Sequence, residues 1–149
     1  LNTLATYGVE ALKEKSCNVV ITPHPKEFSR LTGRSVNEIL QDAKGLSEEF
    51  ARQYGAVVLL KNNRSVVTDG ARTAIITTGS PALAKGGSGD VLAGFLAGTC
   101  ARCVPPFEAA CASSYLVGKA GEIAGEELGE YAVTASDVAN YLAEAIKSL

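Results

Sequence analysis

The residues in this sequence whose types and spacing best suit chemistry are Gly86-Gly87-Ser88-Gly89-Asp90, glycines ahead of a carboxylate, with the apolar run Val91-Leu-Ala-Gly94 behind it. Gly86, Gly87 and Gly89 lack β-carbons, so successive backbone N–H groups can converge on one anion, and a helix starting near Asp90 adds its positive dipole end. Such a loop suits a phosphoryl group or an oxyanion. A carboxylate beside that anion is repelled by it unless it has a task there, and taking a proton from an attacking hydroxyl is such a task. Asp90 is therefore read as a general base. The competing reading makes it only the N-cap of the following helix, a position aspartate favours.

Two further segments carry candidate groups, Thr22-Pro-His-Pro25 with the single histidine of the chain and Lys61-Asn-Asn-Arg64. His24 between two prolines is either a functional loop residue or a rigid exposed one. Lys61 is either a phosphate-seeking charge or an ordinary solvated turn lysine. The elements between them set their positions. Asn18–Thr22 and Ala56–Leu60 are apolar runs that predict strands covered on both faces. Ser65–Thr68 and Thr73–Thr77 predict two more, with a hairpin at Asn62-Asn63, whose asparagines tolerate positive φ, and a turn at Asp69-Gly70. A loose pattern predicts helix over Leu1–Lys15, and a short helix carries Glu27, Phe28 and Leu31 up to Gly33. Ser35-x-x-Glu38 is a capping box that opens one helix with a stripe of Ile39, Ala43, Leu46, Phe50 and Tyr54, stopped at Gly55.

A helix follows the glycine loop, with Gly94 and Gly98 allowing a close backbone approach, and Pro105-Pro106 ends it. A second runs from Phe107 towards Leu128. Thr134-x-x-Asp137 caps the last, with Val138, Tyr141, Leu142 and Ile146 inward. Apolar strands alternating with amphipathic helices predict an α/β fold with helices on both faces of the sheet. In such sheets ligands gather at the carboxyl ends of the strands, where the three motifs are expected to share one crevice.

The 149 residues include 14 basic and 16 acidic side chains for a net charge of −2, with 46% hydrophobic residues. That composition supports a globular core, and the dispersed basic residues form no nucleic-acid footprint. No run approaches the roughly 20 apolar residues of a membrane span, so no membrane partner is expected. Without a signal-peptide pattern the expected location is cytoplasmic. Cys17, Cys100, Cys103 and Cys111 are read as reduced thiols; Cys100-Ala-Arg-Cys103 has redox or zinc spacing but lacks a second pair and a nearby histidine, and no metal ligands are assigned. The absence of methionine and the opening on Leu1-Asn2 suggest a processed or truncated product.

GGSGDVLAGFLAG, ITPHPKEFSRLTG and the later TASDV, taken together, resemble the C-terminal half of the ribokinase-like family. The nearest members are its ADP/ATP-dependent NAD(P)H-hydrate dehydratases, in which a TPHPGE segment, a lysine loop after a core strand and a GGTGDVLAG loop occur in this order. The resemblance implies a three-layer sandwich with a mostly parallel sheet, here without its N-terminal strands, so that residues 1–149 form the C-terminal portion of one domain. It implies a repair lyase that phosphorylates the ring hydroxyl of hydrated NADH or NADPH from ADP or ATP with Mg2+, after which phosphate elimination restores the nicotinamide. Asp90 would be the base that meets the substrate, with Gly87, Ser88 and Gly89 around the migrating phosphoryl group, and His24 would contact the hydrate. Lys61, Asn62, Asn63, Arg64 and Ser65 would surround the nucleotide, joined by Gly79, Ser80 and Gly89. Glu27 would serve structure more than chemistry, near a magnesium-bound phosphate, and Thr134 and Asp137 would be caps, not ligands.

Three positions depart from the family pattern: Asn62 and Lys26 stand where relatives carry glycine, and Val117 where they often carry histidine. The family's N-terminal half, which ends just before a Leu-Asn pair like Leu1-Asn2, is absent from the sequence. The missing half or another chain is thus an expected partner for an exposed sheet edge, a homo-oligomer is the expected assembly, and weak or no turnover is expected of the segment alone. The competing functions are a kinase of the same fold acting on a vitamin-precursor or sugar alcohol, and a non-catalytic nucleotide-binding fragment.

Overall fold

The apolar run before Pro23 pairs with the one after Gly55. Val20–Ile21 (β1) and Val57–Leu60 (β2) are parallel, Val20 opposite Val57 and Ile21 opposite Val58. Ser65–Thr68 (β3) returns antiparallel to β2 with Leu59 opposite Val67, and Thr73–Ile76 (β4) completes a sheet of order β1-β2-β3-β4. The computed structural model describes residues 1–149, and the chain divides into two compact units, Leu1–Ile75 and Ile76–Leu149.

In the first unit, β1 is shorter than the Asn18–Thr22 run predicts. It lies at the sheet edge, and Pro23, which has no N–H, ends it. The helix expected over Leu1–Lys15 is split at Gly8, φ 117°, into Asn2–Tyr7 (α1) and a 3₁₀ turn Val9–Glu14. Pro25–Thr32 (α2) ends at a left-handed Gly33, as predicted. The single helix expected after Ser35 is two, Val36–Gln41 (α3) and Ala43–Tyr54 (α4). Asp42 breaks it: at φ −135° it leaves the helical region, and its Oδ1 accepts the Gly45 N–H at 2.9 Å, starting α4 afresh.

The predicted stripe still faces the core, with Ile39, Phe50 and Tyr54 buried and Ala43 and Leu46 packed against them. Phe28 joins it, its ring 5.4 Å from that of Phe50, which lies 4.5 Å from Tyr54 in a tilted stack. The Asn62-Asn63 connection differs from expectation, since neither asparagine has positive φ. Four residues span the turn, which therefore needs no left-handed residue. The Asn62 and Asn63 side chains instead accept the following N–H groups at 2.9 and 2.8 Å.

The second unit holds a 3₁₀ turn Pro81–Leu83 and three helices, Ser88–Ala101 (α5), Pro106–Leu128 (α6) and Ala135–Lys147 (α7), with α6 packed on both others. Val138 is fully buried and Tyr141 and Leu142 are half-buried, but Ile146, expected inward, is 47% exposed. Ala145 takes the inward place because it continues the three-to-four residue spacing from Val138 and Leu142, leaving Ile146 turned to the next face. The close approach expected at Gly94 and Gly98 is also elsewhere, for both have open space beside them. It occurs on α6, where a β-carbon at Gly118 would lie 2.8 Å from the Thr78 carbonyl oxygen.

The Thr134–Asp137 capping box is present. The Thr134 hydroxyl and backbone N–H both donate to the Asp137 carboxylate, at 2.7 and 2.8 Å, and hold its pKa below the usual range. A depressed carboxyl pKa contributes stability above the unfolded-state value, and that contribution is lost as pH falls through the folded one. Asp137→Asn is thus expected to lower stability at about pH 7 and to flatten the loss on acidification to about pH 3, read by urea unfolding at both. None of the four cysteines forms a disulfide, and no helix is long and apolar enough to cross a membrane.

Candidate active site

In the second unit the glycine loop becomes a helix start. Gly87 is the N-cap of α5 in the left-handed region, φ 92°, and its carbonyl accepts the N–H of Asp90 at 2.9 Å and of Val91 at 3.1 Å. α5 therefore begins at Ser88, two residues earlier than expected. The N–H groups of Ser88 and Gly89 occupy the first turn, where an α-helix offers no acceptor, so they point out along the axis. The Ser88 hydroxyl is enclosed, with no hydrogen-bond partner, so the backbone N–H is the group this residue presents.

Asp90 is the third residue of the helix and caps nothing, because Gly87 holds the N-cap with no side-chain bond. Its side chain is exposed. The reading of Asp90 as a helix N-cap is therefore overturned: the carboxylate stands free beside two outward amides.

Three contacts fix this loop. A β-carbon on Gly87 would lie 2.8 Å from the Ala135 methyl at the start of α7. The Lys85 ammonium donates to the carbonyls of Val133 and Glu130, so its charge serves the turn before α7. Gly87 is also the N-cap, and its carbonyl starts the helix. Upstream, the Gly79 N–H donates to Glu122 Oε1 at 2.9 Å, and the Ser80 hydroxyl donates to the Gly121 carbonyl at 3.2 Å. Glu122 also pairs with Lys119 at 3.1 Å, a contact that raises the Lys119 pKa.

In the first unit, His24 is the N-cap of α2. Its Nδ1 accepts the Glu27 N–H at 3.2 Å, and Glu27 Oε2 accepts the His24 N–H at 2.9 Å and lies 3.4 Å from Nε2. A ring that accepts at Nδ1 carries its proton on Nε2 when neutral. Glu27 has the structural role expected of it. Lys61 sits beside this turn because β1 and β2 are parallel neighbours, and its N–H donates to the Pro23 carbonyl at 2.8 Å. Asn62, Asn63 and Ser65 bond among themselves, while the side chains of Lys61 and Arg64 make no ion pair.

In this structure His24 acts as the N-cap of α2. His24→Ala is expected to cost about 1 kcal/mol through the lost cap, whereas His24→Asn keeps a capping oxygen and leaves stability nearly unchanged. Urea unfolding of both variants checks the difference, and a substrate contact would show as a raised KM for both.

Sequence reasoning did not find Lys85, Ala135 or Glu122. The spacing Gly118-x-x-Gly121 was the available signal, since glycines three apart on a helix make a groove.

Comparison with known proteins gives this arrangement its context. The chain is 40% identical over 130 residues to an ADP-dependent (S)-NAD(P)H-hydrate dehydratase of Cenarchaeum symbiosum, covering 87% of this chain and 45% of that protein. It superimposes with a TM-score of 0.84 and 33% identity on the ADP/ATP-dependent NAD(P)H-hydrate dehydratase of Bacillus subtilis co-crystallised with ATP/Mg2+ and soaked with CoA, covering 88% of this chain and 49% of that one. A ribokinase-like superfamily protein of Enterococcus faecalis matches with a TM-score of 0.74 and 27% identity, over 87% of this chain and 44% of that one. The chain spans about half the length of these relatives and has the corresponding part of their α/β, ribokinase-like fold. Over residues 1–144 it matches the family described as NAD(P)H-hydrate dehydratase, and to that family it belongs.

Proposed function

We propose that this chain is the nucleotide-binding and catalytic portion of a cytoplasmic enzyme that dehydrates hydrated NADH and NADPH at the expense of ADP or ATP. In this reading residues 1–149 are part of one ribokinase-like domain, and the remaining half of the relatives' length completes the substrate site. Asp90 takes the proton of the ring hydroxyl as that oxygen attacks the terminal phosphorus and the bond from phosphorus to the nucleotide's bridging oxygen breaks. The phosphate ester then leaves as inorganic phosphate with the C–O electron pair, and loss of a proton from the adjacent ring carbon restores the double bond. The Ser88 and Gly89 N–H groups hold the phosphoryl oxygens during transfer. His24 contacts the hydrate, while Lys61 to Ser65, Gly79 and Ser80 serve the nucleotide.

The observation that carries this reading is the unpaired, exposed Asp90 carboxylate one residue beyond two outward-facing first-turn amides. Mg2+ enters with the nucleotide: the chain has no group of three His, Cys, Asp or Glu side chains able to cage a metal, and Mg2+ is commonly held by substrate phosphates with one or two carboxylates. The test is incubation of the full-length protein with NADH hydrate, Mg2+ and ADP or ATP. The expected result is recovery of NADH absorbance with one phosphate released per NADH formed. Phosphorylation of a simple alcohol with no NADH recovered would instead make the protein a kinase.

A further inference from the structure

The segment Thr78–Leu83, which includes the Gly79 and Ser80 assigned above to the nucleotide, lies along α6 in a groove that has no side chains at Gly118 and Gly121. A β-carbon at Gly118 would stand 2.8 Å from the Thr78 carbonyl carbon and oxygen, and one at Gly121 would stand 2.6 Å from Leu83 Cγ. Three hydrogen bonds hold the segment there. Thr78 Oγ1 donates to the Tyr115 carbonyl at 2.9 Å, Ser80 Oγ to the Gly121 carbonyl at 3.2 Å, and the Gly79 N–H to Glu122 Oε1 at 2.9 Å.

The first two acceptors are backbone carbonyls that the helix presents whatever its side chains are. Glu122 supplies the only side-chain acceptor of the three. Its other oxygen is held by Lys119 Nζ at 3.1 Å, which fixes the carboxylate in line with Gly79. Gly79 has φ 132°, a conformation rare for other residues, so its peptide direction depends on such an external restraint.

We infer that Glu122 is a positioning residue for the nucleotide: by accepting the Gly79 N–H it fixes the peptide of the Gly79-Ser80 turn in the orientation that receives the nucleotide. The inference rests on the assignment of that turn to nucleotide binding, and Glu122 itself touches no reacting atom. One lost hydrogen bond from a side chain corresponds to about a fivefold to tenfold change in affinity. In the full-length protein, Glu122→Ala is therefore expected to raise the KM for ADP or ATP and the Kd of a non-hydrolysable Mg-ATP analogue by about that factor, with kcat within about twofold. Glu122→Gln keeps an acceptor oxygen for the Gly79 N–H but offers Lys119 only an amide NH2, and Lys119→Ala frees the carboxylate, so both are expected to fall between Glu122→Ala and wild type.

Circular dichroism and thermal melting of each variant separate a folding defect from a binding one, since Lys119→Ala leaves the groove intact. Glu122→Ala and Lys119→Ala binding as tightly as wild type, or Glu122→Gln binding as weakly as Glu122→Ala, would overturn the inference. A wild-type protein that binds neither nucleotide nor analogue would overturn the functional reading beneath it.

Discussion

Asp90→Asn in the full-length protein is expected to lower kcat for NADH formation by about 10²–10⁴-fold, the range a positioned general base supplies, with the KM for nucleotide changed little. The side chain keeps its size but can no longer take a proton. Because Asp90 caps nothing and forms no ion pair, the substitution removes no structural bond, and its thermal midpoint should stay within a degree or two of wild type. An acid in the first turn of a helix is favoured by the dipole, so a small loss of stability is the most that a purely structural role predicts. Steady-state kinetics and a melt on the same preparation separate the two roles: a rate loss without a stability loss is chemistry.

Gly87→Ala has the largest expected effect on folding. At φ 92° a β-carbon is strained, and the one added would sit 2.8 Å from the Ala135 methyl, inside contact distance. The left-handed conformation costs roughly 1–2 kcal/mol and overpacking about 1–3 kcal/mol, giving about 2–5 kcal/mol in all. Activity should fall as well, because relief of the clash moves the first turn of α5 away from α7 and redirects the Ser88 and Gly89 amides. Adding Ala135→Gly should recover the steric part and leave the conformational part. The coupling energy from urea unfolding of the single and double variants measures how much of the loop's position is due to α7.

Much of this was legible in the sequence wherever a local rule decides the outcome. The capping boxes at Ser35 and Thr134, the left-handed stops at Gly33 and Gly55, and the Asp69-Gly70 turn depend on neighbours a few residues away, and all are present. The break at Asp42 was missed because an uninterrupted apolar stripe outweighed one capping side chain. Ile146 was misplaced because it stands four residues beyond Leu142, whereas Ala145, seven residues beyond Val138, lies closer to the centre of the buried face. At the site, the residue types of the glycine loop and Asp90 were readable, but which residue held the N-cap was not. That choice follows from Gly87 meeting Ala135, a contact between residues 48 apart in the chain. His24 was picked for its chemistry, yet its capping bond to Glu27 is invisible to patterns in which histidine is seldom an N-cap.

The claim beneath the account is that the first-turn amides of α5 receive the phosphoryl group that Asp90 directs onto the hydroxyl. A crystal structure of the full-length protein with a Mg-bound ATP analogue and NADH hydrate measures it most directly. The account predicts terminal phosphate oxygens within hydrogen-bond distance of the Ser88 and Gly89 N–H groups and the ring hydroxyl on the Asp90 carboxylate. A terminal phosphate bound elsewhere, with Asp90 facing only solvent, would contradict it.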